Sequence, residues 1–269
     1  MSNPKLTAIV VFDIDGVVRD VAGSYRRAIA DTVEHFTGGV YRPSSTDIDR
    51  LKSEGIWNND WEASQELVYR YLEAQGQARR LVNLNYDTLV GFFQSRYQGP
   101  DPQNWTGYIC DEQLLLQRSY LEQLNASGIA WGFFSGAPHA EAAYVLEKRL
   151  GLNSPVLIGM EDAPGKPDPT GLLAVVDQLE DKSLIDAPTP VIYVGDTVAD
   201  LYTVKRARSQ DPNRYWIGVG ILPPHVQETS ERRNAYAATL KAAGATVIFS
   251  NVQELTPAQI QKLLKINII

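Results

Sequence analysis

Val11-Phe12-Asp13-Ile14-Asp15-Gly16-Val17 decides the reading of this 269-residue chain. The apolar run Ala8–Phe12 stops at Asp13. A run too apolar to alternate has the pattern of a strand covered on both faces, as in a parallel sheet. Residues two apart on an extended segment point the same way, so Asp13 and Asp15 share one side of the chain as it leaves the sheet. Two carboxylates so placed repel each other unless a proton or a cation intervenes, which suits them to hard-metal binding or acid–base work. Taken alone, the pair equally fits two solvated acids opening a turn before Gly16.

Further runs of this kind are Ile129–Phe134, Val156–Ile158, Val191–Val194, Trp216–Val219 and Thr246–Phe249. After Ile129 they alternate with segments that read as helices, near 139–150, 169–180, 198–208, 228–243 and 256–266. Gly151 and Gly244 are placed to stop two of these helices. The β-α-β-α rhythm predicts an α/β fold, a doubly wound parallel sheet with helices on both faces. Residues 21–107 hold no convincing strand. They show apolar stripes at helical spacing instead: Tyr25, Ile29, Val33 and Phe36; Leu67 and Tyr71; Leu89, Val90, Phe93 and Tyr97. Ser44-Ser45-Thr46-Asp47 supplies N-cap candidates for a short helix through Lys52. The expected organisation is a core of residues 1–20 and 108–269 with an all-helical domain, 21–107, inserted after the first strand. Gly99-Pro100-Asp101-Pro102 is the expected return linker.

Composition limits the function. Apolar residues at 44% and charged residues at 21% describe an ordinary globular chain. Twenty-five basic against 32 acidic residues give a net charge of −7, which argues against a general nucleic-acid binder. Cys110 is the only cysteine, so neither an internal disulfide nor a multi-cysteine zinc site is available. Nothing at the N-terminus resembles a signal peptide, and no run approaches the ~18 apolar residues of a membrane span. The expectation is an intracellular, cytoplasmic protein with no membrane partner.

Three more constellations fall at predicted strand ends or helix starts. Gly195-Asp196-Thr197-Val198-Ala199-Asp200 follows the run Val191–Val194, and its aspartates sit one turn apart at a helix start, suited to capping or to a cation. Phe134-Ser135-Gly136-Ala137-Pro138 leaves a hydroxyl and backbone N–H groups open to an anion, or makes a plain strand-to-helix turn. Gly165-Lys166-Pro167-Asp168-Pro169 holds a lysine between turn residues before a helix, where it can neutralise phosphate or clustered carboxylates or simply face solvent.

Asp-x-Asp-Gly, Ser, Lys-Pro and Gly-Asp-x-x-x-Asp, in that order and at those positions, resemble the haloacid dehalogenase-like (HAD) hydrolase superfamily. The resemblance covers the whole α/β part, a Rossmann-like core. The insertion after the first motif resembles the helical C1 cap of subfamily IA, as in phosphoglycolate phosphatases and β-phosphoglucomutases. It implies that Asp13 is a nucleophile forming an aspartyl-phosphate, and that Asp15 is general acid and then general base. It implies that Ser135 and the N–H groups of Gly136 and Ala137 hold the transferring phosphoryl group and that Lys166 stabilises its charge. Asp13, Asp196 and the main-chain carbonyl of Asp15 would bind Mg²⁺, with Asp200 orienting its water. The aspartate at position 15 disfavours carbon–halogen cleavage, because dehalogenases of the superfamily lack it.

Substrate choice is expected from the cap, where Trp57, Asn58 and Asn59 lie in the unusual segment Gly55–Trp61 at a helix junction. Its tryptophans suit stacking on a substrate or packing the cap, and its asparagines suit recognition or the turn itself. Arg19, close behind the first motif, is a further candidate for touching substrate. Tyr25 stands where mutases of this type carry a histidine, and the cap segment has no arginine for a second phosphate; both favour hydrolysis over phosphomutation. The expected activity is thus a Mg²⁺-dependent phosphatase acting on a small phosphorylated metabolite, in a monomer or homodimer. A phosphomutase is the alternative, and a silent binding module a more distant one. Phosphoglycolate, sugar phosphates and amino-alcohol phosphates such as histidinol phosphate all remain open as substrates.

Overall fold

The run Ala8–Phe12 forms strand β1, buried at every position. The computed structural model describes residues 6–57, 59–181 and 188–265. Around β1 lie β2 (Ile129–Phe134), β3 (Leu157–Ile158), β4 (Val191–Gly195), β5 (Trp216–Ile221) and β6 (Val247–Phe249). Their order is β3-β2-β1-β4-β5-β6, and neighbouring strands run parallel. The chain builds outward from β1 to one side through β2 and β3, and from β4 to the other through β5 and β6. Ligands of open parallel sheets bind beyond the carboxyl ends of strands at such a reversal of order. Register fixes what stands there. Phe12 pairs with Phe133 and with Val194, so Asp13, Ser135 and Asp196 leave adjacent strands at one edge.

The chain divides into two units, residues 1–20 with 114–269, and residues 21–113. In the first, helices α5 (Arg118–Ala126), α6 (His139–Ala143, running on into a π-helical turn Tyr144–Arg149), α7 (Thr170–Asp181), α8 (Val198–Gln210), α9 (Ser230–Ala243) and α10 (Pro257–Lys265) accompany the strands. Ile9, Val11, Val191 and Tyr193 of the sheet pack with Phe134, with Leu172, Val175, Val176 and Leu179 of α7, and with Val204 and Ala207 of α8. Burying each such aliphatic side chain contributes about 1.5–3 kcal/mol. Gly244 ends α9 in the left-handed conformation at φ 115°. The segment Asp211–Tyr215 lengthens the approach to β5 for a structural reason. Arg214 donates to Glu180 at the end of α7 (2.6 and 3.0 Å), to Asp211 (2.8 Å) and to the Thr189 carbonyl before β4 (3.0 Å).

The second unit contains α1 (Tyr25–Phe36), α2 (Ser45–Lys52), α3 (Asp60–Ala74) and α4 (Tyr86–Tyr97). Its core takes Ala28, Ile29 and Val33 from α1, Leu67 and Val68 from α3, and Leu89, Phe93 and Tyr97 from α4. Ser44 and Asp47 form a reciprocal capping box at the head of α2. The chain returns to the first unit after residue 113, not at 107. The Gly99–Pro102 segment turns back on itself, because the amides of Thr106 and Gly107 both bond the Gln98 carbonyl (2.9 and 2.8 Å). Tyr108 then donates to Asp31 of α1 at 2.6 Å and ties the following turn to the helical unit.

Candidate active site

Asp13 stands one residue beyond β1, 6% exposed. Its Oδ1 accepts from the Ile14 amide at 2.7 Å and from Lys166 Nζ at 2.7 Å, and these bonds leave Oδ2 aside. Lys166 arrives on the segment joining β3 to α7 and is itself buried, with Nζ also 2.7 Å from Asp200 Oδ1. Burial works against the ammonium, but Asp13 and Asp200 outweigh it and hold Lys166 above its ordinary pKa.

Asp200 is anchored from every side. Thr197 caps α8, and Asp200 at the third helical position closes a capping box with it. Its Oδ2 accepts from the Thr197 amide (2.9 Å) and hydroxyl (2.6 Å), while Oδ1 takes Lys166 and the Tyr193 hydroxyl (3.0 Å). Burial alone would raise its pKa, yet the Lys166 charge and these donors bring it below the carboxylate norm.

Asp196 is the opposite case. It is 9% exposed, and its carboxylate accepts no hydrogen bond among the described residues. Burial first, then the charges of Asp13 and Asp200, push its pKa well above the usual value. Asp13 is raised to about 7, chiefly by burial against the opposing pull of Lys166. Gly16 makes the close approach possible. At φ +74°, it lies so near that a side chain there would collide with Asp196 Oδ2.

Asp13, Asp196 and Asp200 can each bring one carboxylate oxygen within 4.8 Å of the others, close enough to hold a metal ion. Their hydrogen bonding separates them. Asp200 has its lone pairs engaged by four donors, whereas Asp196 and Asp13 Oδ2 keep oxygens open. A buried carboxylate with no donor is costly unless a proton or cation joins it, so this donor set fits a hard divalent cation. Asp200 stands in the same cluster as the other two expected metal residues, and its carboxylate also holds Lys166 and the head of α8.

Asp15 is 31% exposed at its side chain, and its Oδ1 accepts from Arg19 Nε at 2.6 Å. Arg19, expected to face substrate, is 0% exposed. Its guanidinium is turned inward onto Asp15, which makes it a support for that carboxylate and corrects the reading of an open substrate contact.

Ser135 follows β2 and is buried, its amide bonded to the Ile158 carbonyl at 3.0 Å. The Ala137 amide donates to Ser135 Oγ at 3.1 Å, while the Gly136 amide donates to no group among the described residues. One turn on, His139 Nδ1 lies 2.7 Å from Asp162 Oδ2, and the Met160 amide bonds the Ala137 carbonyl at 3.0 Å. These bonds join the Ser135 loop to the segment that leads to Lys166.

Within the helical unit, Trp57 Nε1 donates to Glu54 Oε2 at 2.8 Å. Asn59 caps α3, its side-chain oxygen accepting from the amides of Trp61 and Glu62. Glu54 in turn takes a two-pronged bond from Arg70 (2.6 and 2.8 Å), and Lys52 pairs with Asp60 at 2.5 Å across the segment. The polar groups of Trp57 and Asn59 thus build the helix junction. Asn58 lies outside the described residues.

A family model described as haloacid dehalogenase-like hydrolase matches residues 7–208, a span that takes in Asp13, Asp15, Ser135, Lys166, Asp196 and Asp200. The chain belongs to the haloacid dehalogenase-like hydrolase family. It is similar to an imidazoleglycerol-phosphate dehydratase of Phytophthora nicotianae, 30% identical over 261 residues, or 93% of this chain and 52% of that protein. The chain thus spans about half the length of this curated relative. Among solved structures, a phosphonoacetaldehyde hydrolase-like protein of Oleispira antarctica superposes with a TM-score of 0.64 at 16% identity, covering 99% of this chain and 98% of that one. A phosphatase of Thermococcus thioreducens gives 0.59 at 22% identity, covering 85% and 99%. At these identities the two structures establish the fold of this HAD-like hydrolase, a parallel α/β sheet. No helix among the described residues is long and apolar enough to cross a membrane.

Proposed function

We propose that this HAD-like hydrolase is a Mg²⁺-dependent phosphatase that releases phosphate from a small phosphorylated metabolite through an aspartyl-phosphate at Asp13. The observation that carries the reading is the pair formed by a lysine-held Asp13 and a donor-free Asp196 at one sheet edge. Asp13 Oδ2, outside the bonds that hold Oδ1, attacks phosphorus. The ester bond breaks, and Asp15 gives its proton to the leaving alkoxide. Asp15, now a carboxylate, takes a proton from water as that water attacks the aspartyl-phosphate, so Asp13 is freed and inorganic phosphate leaves. Ser135, the Gly136 amide and the Ala137 amide hold the phosphoryl oxygens, the last by giving up its bond to Ser135 Oγ. Lys166 offsets the charge that develops on them.

The carboxylates of Asp13 and Asp196, with the main-chain carbonyl of Asp15, would hold Mg²⁺, which supplies the charge that lets an anionic nucleophile approach an anionic ester. The curated relative bears on substrate class. A chain matched across half of a protein named for imidazoleglycerol phosphate is best tried first on imidazole-bearing phosphate monoesters, histidinol phosphate among them. The test is a panel of phosphorylated metabolites, scored for released phosphate with Mg²⁺ and again with EDTA. Metal-dependent release from at least one ester is expected, strongest for an imidazole-bearing one. An isomerised sugar phosphate with little free phosphate would show the phosphomutase alternative instead, and no release from any ester would overturn the assignment.

A further inference from the structure

We propose that Tyr193 is a positioning residue for Lys166, an inference that rests on the role given to Lys166 above. Tyr193 is central in β4 and fully buried, on the sheet face covered by α7. A phenylalanine would fill the same space without a hydroxyl to satisfy, and a hydroxyl is costly to bury unless it is bonded. Its Oη lies 3.0 Å from Asp200 Oδ1 and 3.3 Å from the Phe134 carbonyl, the last residue before Ser135. Both neighbours are acceptors and a phenol has a single hydrogen. Donation goes to the carboxylate, because a charged acceptor makes the stronger bond.

The oxygen that Tyr193 bonds is the one that takes Lys166 Nζ. The ring contributes as well. Lys166 Nζ lies 5.5 Å from the centre of the Tyr193 ring and 5.3 Å from that of Phe134, both within cation–π range. Tyr193, Asp200, Lys166 and Asp13 thus form one buried chain of contacts. The tyrosine hydroxyl satisfies part of the Asp200 charge, and the remainder of the ammonium's attraction is left for Asp13. Without the hydroxyl, Asp200 Oδ1 has Lys166 as its sole partner and draws the ammonium toward itself, away from Asp13 and the phosphoryl site.

The experiment is a double-mutant cycle read by binding of inorganic phosphate to the full chain with Mg²⁺ present, using calorimetry. Four proteins are compared: the parent, Tyr193→Phe, Lys166→Met and the double variant. Tyr193→Phe conserves core volume and is expected to fold with little change in melting temperature. It should weaken phosphate binding about tenfold in the parent, the scale of one hydrogen bond to a charged group, and have no effect when Lys166 is already Met. Equal losses in both backgrounds, or no loss in the parent, would overturn the proposal. Should Lys166→Met bind phosphate too weakly to read, the crystal structure of Tyr193→Phe decides. Lys166 Nζ displaced from Asp13 supports the proposal, and Nζ still 2.7 Å from Asp13 Oδ1 overturns it. Failure of the phosphatase reading is seen separately, as phosphate release that survives loss of the Asp13 carboxylate. The binding cycle keeps Asp13 intact and judges Tyr193 alone.

Discussion

Lys166 Nζ lies 2.7 Å from Asp13 Oδ1, with both side chains less than a tenth exposed. A buried ion pair gains little over an apolar pair of the same shape, but removing one partner strands the other charge. Here Lys166 serves two carboxylates, so its loss strands both. Lys166→Met should destabilise the metal-free protein at neutral pH by ~3–5 kcal/mol in denaturant unfolding. Phosphate release by the same variant should fall by ~10²–10³, the scale of losing a preorganised charge at the reacting group. A melting curve unchanged by the substitution would contradict the pairing.

The raised pKa values set a pH dependence. Asp13 titrates near 7 in the folded protein and at the usual carboxylate value of 3.8 when unfolded; Asp196 is raised as well. A raised carboxylate holds its proton more tightly when folded. Its contribution to stability is complete below the unfolded pKa and is lost as pH rises through the folded one. In the metal-free protein the Asp13 part of this contribution should therefore be lost between about pH 4 and 7. A divalent cation replaces the proton, so Mg²⁺ should raise the melting temperature more at pH 8 than at pH 5. Equal Mg²⁺ effects at the two pH values would contradict the assignment of Asp13 and Asp196 to a cation.

Gly16 combines a left-handed backbone with contact against Asp196. Gly16→Ala should cost ~1–2 kcal/mol for the backbone alone and drive the Asp196 carboxylate out of place. The Mg²⁺-induced rise in melting temperature should shrink, and phosphate release should need more Mg²⁺. A Gly16→Ala protein with an undiminished Mg²⁺ response would show that Asp196 does not take part.

Arg214 provides the contrast. It joins the end of α7, the approach to β4 and the approach to β5, and touches none of the strand-edge aspartates. Arg214→Ala should cost about 2 kcal/mol in denaturant unfolding, from lost hydrogen bonds to charged partners, and leave kcat unchanged.

Much of this architecture was readable because parallel strands covered on both faces appear as short apolar runs. Ala8–Phe12 and Ile129–Phe134 are strands at those bounds, and Val191–Val194 needs only Gly195 added. Since each run stops where its strand leaves the sheet, the polar residues that follow fall at one edge, which is why Asp13, Ser135 and Asp196 were legible together. Side-chain pairing was less so. Arg19 suggested an exposed contact because arginine is seldom fully buried, and only the fold shows Asp15 waiting for it. Asp200 is a companion of Asp196 in the aspartate cluster, and it has further partners. The Thr197-x-x-Asp200 capping-box pattern was the local signal that its carboxylate is spent on a helix end, but the donations from Lys166 and Tyr193 come from distant chain segments that no local pattern encodes. The Gly99–Pro102 segment misplaced a boundary for a similar reason. Its turn residues mark a bend, and hydrogen bonds to Gln98 decide that the bend folds back into the helical unit.

The central claim is that Asp13 is the nucleophile, and Asp13→Asn tests it most directly. The amide keeps the shape of the side chain and the acceptor oxygen for the Ile14 amide, so the protein should remain folded with a similar melting temperature. Release of phosphate from the preferred ester, measured with Mg²⁺ present, should fall to background, and no phosphorylated protein should be detectable by mass spectrometry. Undiminished phosphate release by Asp13→Asn would contradict the account.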